Sequence, residues 1–268
     1  MDSSSHDNMS FLEHLEELRW HIIRSLIAII SAGFICFLMK DFIFDTIIFG
    51  PKKMDFPTYK FLCQAATFIG FETTFCGDEF PFIVQNRTMA GQFSAHVMTS
   101  IISGFIISFP YILYEFWKFI SPGLLEKEKA KSRGFIFISS LLFFIGVLFG
   151  YYIISPLSIN FLGTYQVSSQ VLNEIDLGSF ISLVRSSAIA SGIIFELPII
   201  IYFLTKAGVV TPESLVKYRK YALVLVLVLA AIITPPDVAS QIIVAIPIVV
   251  LYQVSIFISK IVVKNQAK

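Results

Sequence analysis

Residues 134–154 read GFIFISSLLFFIGVLFGYYII, a stretch of 21 residues without a formal charge. A helix needs about 20 predominantly apolar residues to cross the hydrocarbon core of a bilayer, which is about 30 Å thick. The whole chain is similar in character: 56% of its 268 residues are hydrophobic, 15% are charged, and the mean hydropathy is +0.77. Soluble domains carry about 25% charged residues. The sequence therefore predicts an all-α, polytopic membrane protein rather than a water-soluble enzyme.

Five further stretches with few charges predict the other membrane crossings, so six transmembrane helices are expected. They run over about 22–44, 88–114, 177–205, 221–234 and 238–259, and the stretch quoted above is the third of the six. We expect one integral membrane domain over residues 1–268. It is divided into an interfacial helix at 10–21, a long outer cap at 45–93, and the remaining five spans within 94–261.

The fifth and sixth predicted helices are short. The fifth, 221–234, has 14 residues and reaches only about 21 Å. The sixth is interrupted by Pro247, which has no N–H to donate to the carbonyl of Ile243. A pair this short has to thin the bilayer or be sheltered by protein. A tight re-entrant hairpin that only fills space in the bundle is the simpler alternative.

The charge balance and the lack of reactive motifs exclude several classes of function. The 20 basic and 19 acidic residues nearly cancel, which argues against nucleic-acid binding because such proteins need a basic face. The three cysteines and four histidines show no metal-ligand spacing, and no serine lies in a nucleophile motif. The acidic first 20 residues do not fit a cleavable signal peptide. We expect no catalytic residues, no metal and no cofactor.

The distribution of basic residues predicts that both termini lie in the cytoplasm. Cytoplasmic loops are enriched in Lys and Arg. These residues are concentrated in 118–133, 206–220 and 260–268, and they are absent from 155–179 and 235–237.

The long segment 45–93 then lies outside the cytoplasm. It contains Cys63 and Cys76, which are separated by 13 residues. An extracytoplasmic compartment is oxidising, so the two cysteines are candidates for a disulfide. Two free thiols are the alternative.

Acidic side chains crowd the cytoplasmic face, where basic ones usually attract anionic lipids. Residues 13–19 read EHLEELR and place Glu17 opposite an apolar stripe at helical spacing. Glu128 adds a carboxylate in the loop after the second span. Such a cluster is suited to bind a cation, and arginine best, because a guanidinium engages carboxylates bidentately. Helix capping and local pairs such as Glu16 with Arg19 are the alternative.

Two charged residues fall inside the fourth predicted span. Glu196 is ten residues before Lys206, and so about 15 Å from the cytoplasmic end. A charge near the middle of a bilayer is costly and faces the bundle interior or water. Pro198 leaves the carbonyl of Ile194 without its helical donor. Arg185 lies on nearly the same helix face but about 16 Å from Glu196, too far to pair with it directly. A protonated, merely structural Glu196 is the alternative.

Seven ordered motifs extend over most of the chain. They are EHLEELR (13–19), FPYILYEFW (109–117), FISPGL (119–124), FELP (195–198), TPPD (234–237), SQ (240–241) and AIP (245–247). Together they resemble the TatC subunit of the twin-arginine protein translocase, over about residues 11–261. This family exports folded proteins whose signal peptides carry paired arginines, using the proton motive force. The resemblance implies a core receptor subunit, not an enzyme, in the bacterial cytoplasmic (inner) membrane. It also implies single-span partners of the TatA and TatB type, and self-association.

The resemblance also implies roles for particular residues. Glu17 and Glu128 would contact the paired arginines, and Arg19 and Phe119 would belong to the same cytoplasmic recognition surface. Glu196 would be the intramembrane acid on the concave face. The other matched positions are the partner-docking pair Thr234 and Gln241 and the outer-face pair Pro51 and Asp237.

Two features depart from the family pattern. The first outer loop is long and carries the two cysteines, and His21 replaces a basic residue that many members have.

A small-solute secondary transporter that uses Glu196 as a proton relay is the alternative class of function. Transporters of that kind often contain internal repeats with paired broken helices. The first and last three spans show no convincing repeat, and a transporter would leave the acidic cluster without a purpose.

Overall fold

The computed structural model of the chain describes residues 11–69, 76–77, 79–120, 132–234 and 238–266, most of them helical. The α-helices within these ranges are α1 (Phe11–Leu38), α2 (Pro57–Ile69), α3 (Gly91–Ile120), α4 (Ser132–Phe149), α5 (Ser155–Thr164), α6 (Leu177–Phe195), α7 (Leu197–Lys206), α8 (Pro212–Lys217), α9 (Arg219–Ile233) and α10 (Val238–Gln266). The other elements are π-helical segments at Phe42–Ile48 and Gly150–Ile154, a 3-10 turn at Gly50–Lys52, and strands β1 (Phe82–Gln85) and β2 (Asn173–Asp176).

Five described helical segments are long and apolar enough to cross a membrane. They are His14–Leu38, Gly91–Ile120, Gly134–Thr164, Leu177–Lys206 and Ser240–Gln266. The predicted all-α, polytopic membrane architecture is therefore confirmed. The fifth predicted crossing corresponds to α9, which has only 15 residues. The count of six crossings stays a prediction.

Two sequence-based predictions about the spans are wrong. The third span does not end at Ile154, because the helical path continues through the π-helical segment into α5 and reaches Thr164. Pro156 lies in the first turn of α5, where its missing N–H breaks no helical bond. The sixth span is neither short nor interrupted, since α10 continues through Pro247 for 29 residues. One missing hydrogen bond does not end a helix that its neighbours support.

The helical path of the fourth span is broken at Glu196, two residues before Pro198. α6 ends at Phe195 and α7 begins at Leu197, so Glu196 is the residue between the two helices. Its own carbonyl accepts hydrogen bonds from the amides of Ile199 and Ile200, at 2.9 and 3.0 Å. The backbone therefore restarts a helix directly after the break.

Two compact units make up the described chain, each with its own contacts. The first consists of the described residues up to Lys40 and of His96–Leu141. Within it, α1 and α3 approach closely: a Cβ added at Gly104 would lie 2.5 Å from the backbone nitrogen of Gly33. Small residues allow such an approach between membrane helices. Ser108 supports the contact by donating a hydrogen bond to the carbonyl of Ala28 at 3.0 Å.

The second unit consists of Asp41–Ala95 and of the described residues from Leu142 onward. Its apolar core brings the π-helical segment Gly150–Ile154 together with α9 and α10. The buried members are Ile154, Val226, Ala230, Val244, Ala245 and Ile248. α7 packs along α10, where the Thr205 hydroxyl donates to the Ser259 hydroxyl at 2.9 Å. Packing on α10 therefore stabilises the short α9.

The predicted outer cap also lies in the second unit and contains regular structure. Strands β1 and β2 pair in parallel, with Phe82 opposite Asn173 and Gln85 opposite Asp176. A disulfide joins Cys63, on α2, to Cys76. The described part of 45–93 is therefore folded and is not an extended loop.

Candidate functional site

The N-terminal end of α1 and the C-terminal end of α3 meet around one aromatic ring. Phe119 stacks on His14 with ring centroids 4.5 Å apart and an interplanar angle of 21°. The same ring meets His21 edge-on at 6.2 Å. Because these histidines are two helical turns apart, they lie on one face of α1. The fold thus brings together two motifs that are about 100 residues apart in the sequence.

Glu17 lies between the two histidines, one turn from each, and so on the side of α1 that faces Phe119. Its side chain is half-buried, and its Oε2 atom is covered by protein with no hydrogen-bond partner among the described residues. Glu16 and Arg19, on the same helix, are exposed. A covered carboxylate oxygen without a donor is costly, so this position favours an incoming cation or hydrogen-bond donor.

Glu115 is a member of this site that the sequence analysis did not identify. Its side chain is 3% exposed, and its Oε2 lies 2.6 Å from Nδ1 of His21 and 3.8 Å from Nη1 of Arg24. The hydroxyl of Tyr111 also hydrogen-bonds this carboxylate. One signal was present in the sequence: Glu115 directly follows the uncharged run 88–114 and precedes Phe119 by one turn. The buried acid joins α3 to α1 beside the Phe119 ring.

Glu196 lies in the second unit and is buried. Ile194, two residues before it, and Leu197, directly after it, pack against the apolar core of that unit. The structure therefore agrees with the sequence in placing an acid inside a membrane-spanning segment, at a break between two helices.

Thr234 and Gln241 both bond to the backbone of α9. The buried Thr234 hydroxyl donates to the carbonyl of Ala230 at 2.8 Å. The amide of Gln241, at the start of α10, donates to the carbonyl of Leu227 at 3.0 Å. The Gln241 bond thus links α10 to α9, whereas the Thr234 bond closes the C-terminal end of α9 itself.

Pro51 is buried in the cap and serves as a hydrogen-bond acceptor. The fully buried Tyr59 hydroxyl lies 2.9 Å from the Pro51 carbonyl oxygen and 3.0 Å from that of Pro156. Burial raises the pKa of the Tyr59 phenol above its ordinary value, because ionisation would place a charge in an apolar setting. The contact ties α2 to the start of α5.

Two of the predicted site residues, Glu128 and Asp237, lie outside the described residues. Within the described ranges, no group of three or more His, Cys, Asp or Glu side chains is arranged to hold a metal ion.

Comparison with known proteins gives one consistent result. The family model described as "Sec-independent protein translocase protein (TatC)" matches residues 13–247. A protein of that description from Blattabacterium sp. subsp. Periplaneta americana (strain BPLAN) is 46% identical, over 97% of this chain and 98% of the relative. One from Aquifex aeolicus (strain VF5) is 36% identical, over 96% of this chain and 98% of the relative. A crystal structure described as the twin-arginine translocase receptor TatC matches with a TM-score of 0.69 at 35% identity, covering 94% of this chain and 100% of that one.

Fold and site thus define a multi-pass helical membrane protein with buried acids at a helix–helix contact and at a helix break. The chain belongs to the TatC family of Sec-independent protein translocase proteins. It therefore has a role in twin-arginine translocation, takes part in the Tat translocase complex, and is a translocase component and not an enzyme. The family assignment favours this class of function over the small-solute transporter.

Proposed function

We propose that the chain is the core receptor subunit of the translocase and binds the paired arginines of signal peptides through Glu17 and Glu128. The observation that carries the proposal is the covered Oε2 atom of Glu17, which has no donor among the described residues. An arginine fork supplies two N–H donors and a positive charge to such a carboxylate. Phe119 lies on the same side of α1 and offers a ring face for the second guanidinium. The exposed Arg19 borders this surface.

Selectivity for arginine over lysine follows from the shape of the two head groups. A guanidinium is planar, binds carboxylates bidentately and stacks on rings, whereas an ammonium is a compact, strongly hydrated point charge. A half-buried carboxylate beside aromatic rings therefore binds a guanidinium more tightly than an ammonium. A peptide with paired lysines therefore keeps the charge and loses most of the affinity.

In the membrane, we propose six crossings with α9 as the fifth, both termini in the cytoplasm, and location in the bacterial cytoplasmic (inner) membrane. The absence of Lys and Arg from 155–179 supports this orientation, because such loops are typical of the outer side. The whole chain then acts as one integral membrane domain, with 10–21 at the cytoplasmic interface and the cap of 45–93 outside. Pro51 and Asp237 lie on the outer face in this arrangement.

The later steps use the second unit. The apolar part of the signal peptide passes toward Glu196, and single-span subunits of the TatA and TatB type dock near Thr234 and Gln241, where the short α9 meets α10. We also propose that the chain associates with further copies of itself and that translocation uses the proton motive force. Because α9 is short, it favours a locally thin bilayer, which lowers the barrier to a folded cargo.

The test is equilibrium binding of a fluorescent signal peptide to the purified chain in lipid nanodiscs. Glu17→Gln keeps the shape of the side chain and removes the charge, and we expect about a tenfold or greater loss of affinity. Glu16→Gln is the matched control, since Glu16 is exposed and adjacent, and it should leave binding nearly unchanged. Glu128→Gln should weaken binding as Glu17→Gln does. Equal losses for Glu16→Gln and Glu17→Gln would mean that general negative charge, and not this site, attracts the peptide.

A further inference from the structure

Arg185 lies inside a membrane-spanning segment, and the proposed function gives it no role. It follows Leu177, the first residue of α6, by eight residues, which places it about 12 Å along the helix. The segment Leu177–Lys206 is long and apolar enough to cross a bilayer. An arginine at such a depth is costly and normally pairs with an acid or faces water.

The guanidinium is partly covered by protein, but its covered nitrogens lack acceptors. Nε and Nη1 of the half-buried Arg185 are inaccessible and have no hydrogen-bond partner among the described residues. Acids near it in the sequence are engaged or distant. Glu174 pairs with Arg87 at 3.3 Å, Asp176 caps the first turn of α6, and Glu196 is about 16 Å further along. Among the described residues, these acids therefore leave the covered nitrogens of Arg185 without an acceptor.

Arg185 lies at the margin between the packed side and the open side of α6. Ala188 is buried, Ser186 is exposed, and Ile189, one turn beyond Arg185, is half-buried. Arg185 and Glu196 are three turns apart on nearly the same face of the helix path. A second helix lying along this margin would pass both charged residues.

We propose that Arg185 binds a carboxylate carried by the transmembrane helix of a partner subunit that lies along the open margin of α6. The proposal rests on the proposed function only in requiring that single-span subunits assemble with the chain. Charge complementarity sets the chemistry: the partner helix carries an acid at the level of Arg185. A lipid phosphate suits the position less well, because it lies with the headgroups while Arg185 lies about 12 Å along the helix from Leu177.

The experiment uses the full translocase in native membranes, with a photoreactive amino acid in place of Ile189. We expect illumination to join it to a single-span subunit. Adding Arg185→Met should lower the yield about tenfold or more, because the partner acid would then be buried without its counter-charge. Arg185→Lys keeps a cation and should keep most of the yield. The same photoreactive residue at Leu148, which is exposed elsewhere in the second unit, is the control for unspecific contact.

The partner acid is then identified by changing each Asp and Glu of the crosslinked helix to its amide. One such change should reproduce the loss caused by Arg185→Met and add nothing to it. Combining Arg185→Glu with arginine in place of that acid should restore the crosslink.

Three results would overturn the proposal. The first is a crosslink yield that Arg185→Met leaves unchanged. The second is a labelled product that mass spectrometry identifies as lipid. The third is an Asp237→Asn variant that reproduces the loss caused by Arg185→Met and adds nothing to it, which would make the ion pair internal to the chain. Signal-peptide labelling in the same membranes separates this inference from the proposed function. If the peptide is still labelled while the partner crosslink gives one of these results, only the inference about Arg185 fails. If Arg185→Met also abolishes peptide labelling, the crosslink yields of Arg185→Lys and Arg185→Gln are compared instead. Arg185→Lys should keep the crosslink and Arg185→Gln should lose it, and equal yields would overturn the proposal.

Discussion

Nδ1 of His21 lies 2.6 Å from Oε2 of Glu115, and this buried pair joins α1 to α3 directly beside the proposed peptide site. Glu17 precedes His21 by one turn on α1, and Phe119 follows Glu115 by one turn on α3. Because the pair fixes both helices at this level, it also fixes the position of the Phe119 ring against the histidines. In the proposed function, Glu115 is therefore a positioning residue that would act on the peptide through His21 and Phe119.

Removing Glu115 should loosen this junction. Glu115→Ala leaves His21 without its acceptor, and we expect a loss of about 3 kcal/mol in the free energy of unfolding, as for other broken buried pairs. Glu115→Gln retains an acceptor oxygen and should cost less. Reversible unfolding in detergent measures the effect, with Glu16→Ala as an exposed control. Equal stability of the wild type and Glu115→Ala would show that the pair does not hold the helices together.

The close approach of α1 and α3 makes a second prediction. At Gly104 an added Cβ meets the backbone of Gly33 at 2.5 Å, and backbone atoms cannot rotate away. Gly104→Ala should therefore separate the helices and cost about 1–3 kcal/mol. Gly134→Ala is the matched control, because an added Cβ there meets nothing within 4 Å. Thermal unfolding of the two variants should give clearly different midpoints; the same midpoint for both would contradict the contact.

The cap offers a prediction that depends on pH. Tyr59→Phe removes the hydroxyl that contacts Pro51 and Pro156, and should cost about 1–3 kcal/mol near neutral pH. The folded state has the raised pKa, so the wild-type advantage is fully present below the ordinary tyrosine pKa of about 10. Above that pH the unfolded chain releases the proton while the folded chain keeps it, and the advantage shrinks. Unfolding curves of both proteins at several alkaline pH values test this. A difference that stays constant above pH ~10 would contradict it.

The short α9 makes a prediction about export. Lengthening α9 by one turn adds about 5.4 Å and reduces the mismatch with the bilayer. Export should fall severalfold if a thin bilayer is required. The control is an insertion of the same length in the exposed connection 166–170, and signal-peptide binding verifies that the lengthened protein still folds. Unchanged export with the longer helix would remove thinning from the mechanism.

Much of the architecture follows from the sequence, because long uncharged runs have few alternatives to a membrane helix. The run 134–154 was correctly predicted to lie in a span, and so was the acid at position 196. The continuation past Pro156 and through Pro247 was not, since a proline reveals a lost hydrogen bond but not whether neighbouring elements support the helix.

The site was only partly predictable for a related reason. Glu17 and Phe119 belong to recognisable motifs, whereas the pairing of His21 with Glu115 depends on the register of α1 against α3. That register is set by the contact of Gly33 with Gly104, which a single sequence does not reveal.

The central claim is that paired arginines bind where α1 and α3 meet around Phe119. The most direct measurement places a photoreactive group beside the paired arginines of a signal peptide and locates the label in the purified protein by mass spectrometry. The account predicts labelling of α1 near Glu17 and of α3 near Phe119, lost with paired lysines and with Glu17→Gln but kept with Glu16→Gln. Equal labelling by both peptides in all variants, spread over the apolar helices, would contradict it.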